Sequence, residues 1–374
     1  MNHPQSSFLN EKSLLTHISR IRSYIFKAPV KKPVVSTLTT VSTRVALLIQ
    51  VEDKEGNVGW GEIYATLPSF SADHKVNLLH QFIFPLIKDR SFHSPIDMWD
   101  FLEKSTHAMQ IQTGEFGPFA HVIAGLDCAT WDMLARKSNV PLTEFLGGQN
   151  HPLPVYASGL NPADGPQVVE QSRSQGFKAF KQKIGFGMEI DKRNLKMICD
   201  TLVATEQLMV DVNQGWNIDA LRTHADLLNS YPLQWVEEPL LADASETDWL
   251  EAKLLLKAPL AGGENLRNHD FARQSKWLHV LQPDVGKWGG ISGNWLVAKN
   301  ALTQQKRYCP HWLGSGIGLI TSAHLLCAIG GDGLLEVDVN ENPLRELLAQ
   351  PFPNIRNGHL ELTNQSGIGV TPNL

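Results

Sequence analysis

The chain has 374 residues, 42% hydrophobic and 19% charged, which is ample apolar content for two packed domains or one barrel with an appendage and excludes extended disorder. Lys and Arg number 33 against 38 Asp and Glu, a net charge of -5, so the basic footprint of a protein that binds nucleic acid or an anionic membrane is absent. Cys128, Cys199, Cys309 and Cys327 are scattered without a C-x-x-C pair, and no leader or membrane-length apolar run is present, so a cytoplasmic location is expected.

In chain order, residues 1–18 read as a polar tail. From Arg22 to Ile63 the pattern is that of antiparallel strands: RVALLIQV, turn residues Glu55-Gly56-Asn57, then VGWGEI. Helical spacing follows from Asp73 to Thr106, and again where Val122, Leu126, Ala129 and Met133 repeat at steps of four, three and four. Gly147-Gly148 closes an α+β domain over 19–149. Beyond it, eight short apolar runs alternate with helix-length segments: PVYAS, KAFKQK, LMVD, LQWVE, APLAGGE, LHVLQPD, RYCPH and LLEV. Such alternation predicts parallel strands in a (β/α)8-type barrel over 150–350, with 351–374 returning toward the first domain.

Seven of these runs end at or near an ionisable residue, Lys183, Asp211, Glu237, Glu264, Asp284, His311 and Glu336, at intervals of 20–28 residues. An acid after a strand is often the N-cap of the next helix. Recurrence in register argues instead for convergence at the barrel mouth, where sites of this fold are built. Asp211, Glu237 and Glu264 on successive strands would repel one another unless a cation neutralised them, and an all-oxygen set suits Mg2+, with Mn2+ the alternative. Strand alternation would send Glu238 to the opposite face from Glu237. Lys181 and Lys183 share a face, and their mutual proximity beside a dication would lower both pKa values and supply a base. Asp284 on the neighbouring strand would orient His311 and raise its basicity. The stretch Gly314-Ser315-Gly316-Ile317-Gly318 fails as a dinucleotide fingerprint because Leu319 stands where a third small residue is required. It reads better as backbone N–H groups that receive an anionic part of a substrate. Trp312, beside His311, is the tryptophan expected to touch that substrate.

The words KQKIGFG (181–187), VDVNQGW (210–216), WVEEPL (235–240), GGEN (262–265), QPDVGKWGG (282–290), CPHWLGSGIG (309–318) and LLEVDVNENPLR (334–345), with AGLDCATWDMLARKSNVPLTEFLGG (124–148), make the chain similar to the mandelate racemase subgroup of the enolase superfamily. The resemblance implies an α/β fold, a modified (β/α)7β TIM barrel under an N-terminal α+β capping domain. It also implies Mg2+ on Asp211, Glu237 and Glu264, and Lys183 as one base modulated by Lys181. The His311–Asp284 dyad would be the other base, Glu336 a hydrogen-bond donor to the enolised carboxylate, and Asn213 a substrate or supporting contact. Lys287 stands where the muconate-lactonising branch carries its second base; with His311 present it is expected to balance charge. Specificity would lie in two capping loops, about Pro29–Thr43 and Gly61–Ser71. Lys31, Lys32, Thr37, Thr39, Thr40, Ser42 and Thr43 make the first polar and cationic, which favours a polyhydroxylated acid. The expected reaction is dehydration of an acid sugar to a 2-keto-3-deoxy acid. Racemisation or epimerisation of a 2-hydroxy acid, lactone cycloisomerisation and a catalytically silent acid-binding protein are the alternatives. The expected partners are a small-molecule acid and further copies of the chain in a homo-oligomer.

Overall fold

The structure, a computed structural model, describes residues 14–374. Most of the expected polar tail lies outside that range. Its last residues belong to the fold: Thr16 pairs with Phe92 and Ile18 is buried.

Strands β1 (Arg20–Val35), β2 (Thr40–Glu52) and β3 (Val58–Ile63) form an antiparallel sheet. The turn between β2 and β3 is pinned by the Asp53 carboxylate, which accepts from the N–H groups of Glu55 and Asn57. Helix Phe116–Lys137 packs across this sheet and buries Val122, Leu126, Ala129 and Met133. Its close approach requires glycine at two strand positions. A Cβ at Gly59 would stand 2.2 Å from Ala129 O, and one at Gly61 2.2 Å from Gly125 O.

All eight expected runs become strands: β4 (Leu153–Leu160), β5 (Ala179–Lys183), β6 (Gln207–Asp211), β7 (Leu233–Glu237), β8 (Leu260–Gly262), β9 (Val280–Leu281), β10 (Arg307–Tyr308) and β11 (Leu335–Asp338). They pair in parallel from β4 to β10 in sequence order, and β11 pairs with β4. Between β10 and β11 the Leu334 N–H donates to Cys309 Sγ at 3.3 Å. One apolar cluster, Tyr156, Ala179, Met209, Trp235, Ala261, Val280, Cys309 and Leu334, takes a residue from every strand or its margin, the layered filling of a (β/α)7β barrel interior.

Two capping-domain carboxylates hold consecutive barrel helices by their first turns. Asp127 accepts from the Ser292 N–H (2.9 Å) and hydroxyl (2.6 Å) at the start of helix Gly290–Thr303. Glu62, at the end of β3, does the same for helix Gly316–Ile329. A buried Arg44–Asp338 ion pair at 2.6 Å adds a third tie between the domains.

The C-terminal residues bridge the same two parts: strand His359–Leu360 pairs with β4, and Gly367 O accepts from the Leu142 N–H at 2.7 Å. His324 locks this strap. Its Nδ1 accepts from the Thr143 N–H (3.2 Å) and its Nε2 donates to Ile368 O (3.1 Å), so both nitrogens are used by a neutral ring. Burial first, and Arg136 as well, push its pKa down to about 4. Below its unfolded value of 6.5 the unfolded chain takes up a proton that the fold refuses. Stability should therefore fall as pH drops from 6.5 to 4, at about 1.4 kcal/mol per unit from this group. Urea unfolding at pH 6.5 and 4.5 checks this. His324→Gln should flatten the slope, and equal slopes in the two proteins would refute the assignment.

Candidate active site

The ladder register places Lys183 beside Asp211 and Asp211 beside Glu237, one row at the C-terminal ends of β5, β6 and β7. Alternation along β5 turns Lys181 and Lys183 to the interior together, where both are buried. Lys183 Nζ donates to Asp211 Oδ2 at 3.3 Å and to Asn213 Oδ1 at 2.5 Å. Asn213 has a left-handed backbone, φ 47°, which Asn tolerates better than most residues. That turn lets its N–H and side-chain amide both donate to Asp211, at 2.8 and 3.0 Å. Asn213 thus fixes the lysine and the aspartate relative to each other.

Lys181 lies one layer deeper, with Nζ 2.5 Å from Glu237, 2.8 Å from Glu336 and 3.8 Å from Asp211. Burial works against its charge, but Glu237 and Glu336 hold its pKa well above the ordinary value, the reverse of the lowering expected from two adjacent ammonium groups. Its three carboxylate neighbours outweigh Lys183. Glu336 accepts from Ser158 (2.5 Å) and from the Trp312 N–H (3.0 Å).

The His311 Nδ1 faces Asp284 Oδ2 at 2.7 Å, while Asp284 Oδ1 is held by the N–H groups of Gly286 and Lys287. This anchoring assigns the Nδ1 proton to the aspartate and leaves Nε2 toward Glu264, 3.3 Å away. Burial lowers the ring's basicity, but Glu264, Glu336 and Asp284 raise its pKa to about 9.

A chamber of about 440 Å³ lies between the capping domain and the barrel mouth, within the range of small-molecule sites. Lys183, Asn213, Glu264, Lys287 and His311 line it from the barrel side. The β1–β2 turn closes over it, latched by the Thr37 hydroxyl, which donates to Val212 O (2.8 Å) and Asn213 O (3.1 Å).

Three expectations change here. Lys31 and Lys32 do not face the chamber: the Lys31 backbone binds Glu341 and the Lys32 ammonium pairs with Asp164, while Val34, Ser36, Leu38, Thr39 and Val41 form the inner side of the turn. Within Gly314–Gly318, the Ser315 and Gly318 N–H groups are taken by Glu62 rather than left for a substrate anion. Its carboxylate accepts from the Ser315 N–H (2.7 Å), the Ser315 hydroxyl (2.6 Å) and the Gly318 N–H (3.0 Å). Burial pushes the Glu62 pKa up to about 7 despite those bonds. Trp312 is packed rather than exposed to the chamber; its indole N–H donates to Ser315 O at 2.7 Å, and a Cβ at Gly318 would meet its ring at 1.9 Å. Trp288 is the tryptophan on the chamber wall.

Among the described residues no three His, Cys, Asp or Glu side chains converge at metal-binding distance. Glu237 turns toward Lys181, Trp235 (3.1 Å) and Gln282 (2.5 Å), and Glu264 pairs with Lys287 and His311. The donor set nevertheless fits a hard divalent cation: Asp211, Glu237 and Glu264 are oxygen donors at or just past the ends of consecutive strands. Burial, with Asp211 and Glu336, raises the Glu237 pKa to about 7 although Lys181 lowers it. Glu238 does not line the chamber and sits instead among Leu240, Trp249 and Leu278. The strand ends at Glu237 and Glu238 turns to φ 40°, so its buried carboxylate accepts from Asn265 at 2.8 Å, and burial with Glu264 raises its pKa well above normal.

Residues 20–147 match the family model for the mandelate racemase / muconate lactonizing enzyme N-terminal domain, and residues 166–374 match that for the enolase C-terminal domain-like fold. The chain is 24% identical to D-galactarolactone cycloisomerase of Agrobacterium fabrum over 95% of its length and 96% of that protein's. It is 27% identical to arabinonate dehydratase of Saccharolobus solfataricus, covering 86% and 87%. A solved mandelate racemase/muconate lactonizing enzyme structure from Bordetella bronchiseptica RB50 superposes with a TM-score of 0.90 at 41% identity, covering 96% of this chain and 98% of that one.

Proposed function

We propose, from the premise that this chain belongs to the mandelate racemase and muconate lactonizing enzyme family of the enolase superfamily, that it removes the proton alpha to the carboxylate of an acid sugar and dehydrates the product to a 2-keto-3-deoxy acid. The carrying observation is that Lys183 and the Asp284-anchored His311, from the second and seventh barrel strands, line one chamber. A base on one flank of the substrate can take the alpha proton, and an acid on the other can protonate the departing beta-hydroxyl.

Asp211, Glu237 and Glu264 would hold Mg2+, which members of this superfamily bind and which supplies positive charge where the carboxylate becomes dianionic. The chain's own groups do the remaining work. Asn213 and Asp211 hold the Lys183 amine at one place, and Asp284 fixes the imidazole so that Nε2 is the atom that exchanges a proton. Glu336, held by Ser158, Lys181 and the Trp312 N–H, would act on the reacting carboxylate from beneath the chamber wall. The β1–β2 turn excludes water above it. Ser36, Thr39, Thr66, Asn265 and the basic wall suit a hydroxylated chain, although Val34, Leu38 and Val41 make the turn less polar than its sequence suggests.

The same pair of groups would serve epimerisation if the second returned a proton to carbon, and this is the second reading. A library of mono- and diacid sugars assayed for 2-keto acid formation, with alpha-deuterium exchange in D2O read in parallel, tests both. Dehydration is expected with at least one acid sugar. Exchange with no keto product would favour epimerisation, and neither signal from any acid sugar, lactone or mandelate-like acid would remove the enzyme reading.

A further inference from the structure

The capping-domain end of the chamber carries two cations, Arg267 and Lys75, that have no carboxylate at ion-pair distance among the described residues. Arg267, on the loop after β8, lies 4.8 Å from the centroid of Phe116; its guanidinium enters no hydrogen bond or ion pair among the described residues, and Glu103 is the acid that feels its charge at longer range. Lys75 is buried against Tyr64, and its ammonium has only neutral acceptors, Tyr64 O (2.6 Å) and Ser71 Oγ (3.0 Å). The Tyr64 ring therefore has two ammonium groups near it, Lys75 at 5.4 Å and Lys287 at 4.9 Å. His121 stands edge-on to the same ring at 5.0 Å, on the chamber wall, with its Nδ1 buried and without a partner. Burial and then Lys75, Lys287 and Arg267 push the His121 pKa well below normal, so three cations converge on one neutral ring. Only Lys287 among them has an acid partner, Glu264. Lys75 is a buried cation without an ion pair and Arg267 a half-buried one, and an anion brought to them would offset the cost of that charge.

We infer that this end of the chamber receives a second carboxylate of the substrate, bound by Arg267 beside His121, so that the substrate is a dicarboxylic acid sugar of the aldarate type. The inference rests on the enolisation reading for the first carboxylate, at Lys183 and His311. The guanidinium fork matches a carboxylate with two parallel bonds, and Phe116 holds its plane. Lys75 supplies potential from behind Tyr64, off the chamber wall, and Lys287 on the wall is engaged by Glu264. Monoacids would leave the Arg267 guanidinium without a hydrogen-bonded carboxylate, which is the physical basis for preferring diacids.

The probes are six-carbon aldarates and their matching aldonates. Alpha-deuterium exchange and isothermal titration calorimetry are both measured on the Mg2+-loaded wild type, Arg267→Gln and Arg267→Lys. The wild type is expected to favour aldarates in both measurements. Arg267→Gln should raise KM and Kd for aldarates about ten- to a hundredfold more than for aldonates, the range for losing one charge-assisted pair, and Arg267→Lys should recover part of it. Aldonates bound or exchanged as well as aldarates, or equal losses for both classes in Arg267→Gln, would overturn the diacid subsite while leaving enolisation in place. Aldarates that bind in an Arg267-dependent way yet never exchange would support the subsite and overturn the enolisation reading instead.

Discussion

Replacing Lys183 by Ala, or His311 by Asn, is expected to lower turnover by roughly 10²- to 10⁴-fold, the usual loss when a positioned acid or base is removed. The two losses should differ in kind. Lys183 reaches the chamber from β5 and His311 from beyond β10, so each serves one flank of the same carbon skeleton. Stereospecific alpha-deuterium exchange should therefore survive in one variant and vanish in the other, which identifies the group that takes the alpha proton. Circular dichroism and Tm check that each variant folds, a needed control because both side chains are buried in charged hydrogen-bond networks. Turnover within a few-fold of wild type in either variant would sink the assignment.

Chelation is expected to abolish turnover, and Mg2+ to restore it. A readout independent of activity follows from linkage: Mg2+ at a hundred times its Kd should stabilise the fold by about 2.7 kcal/mol and raise Tm accordingly. Asp211→Asn, Glu237→Gln and Glu264→Gln should each shrink that increment, because each removes one of three oxygen donors from consecutive strands. Glu237 is the most telling of the three. Its carboxylate is engaged by Lys181, Trp235 and Gln282, so binding requires it to exchange those partners for the cation. A Tm indifferent to Mg2+, or full activity after exhaustive chelation, would refute the metal reading.

Much of the site was legible because strands repeat and barrels converge. Lys183, Asp211 and Glu237 end successive apolar runs, and parallel pairing with little offset puts strand ends at one level, so their spacing implied a shared row. The Asp284–His311 pairing followed from the same logic, since β9 and β10 are neighbours. Lys181 was placed correctly on its face, but its ion-pair partners were not foreseen. Its three carboxylate neighbours come from strands whose inward aim at this layer is a matter of packing. Glu238, one residue past the strand end, is absent from the chamber wall.

Local sequence determined the elements and the polar strand ends, because side-chain periodicity and turn chemistry act over a few residues and leave a repeating trace. Docking of the capping domain decided what those residues meet. It put Glu62 onto the Ser315 and Gly318 N–H groups, packed Trp312 out of the chamber, turned Lys31 and Lys32 outward, and brought His121 and Tyr64 to Lys287 and Arg267. Those contacts join residues far apart in the chain through irregular turns, where no period relates a residue's position to the direction of its side chain.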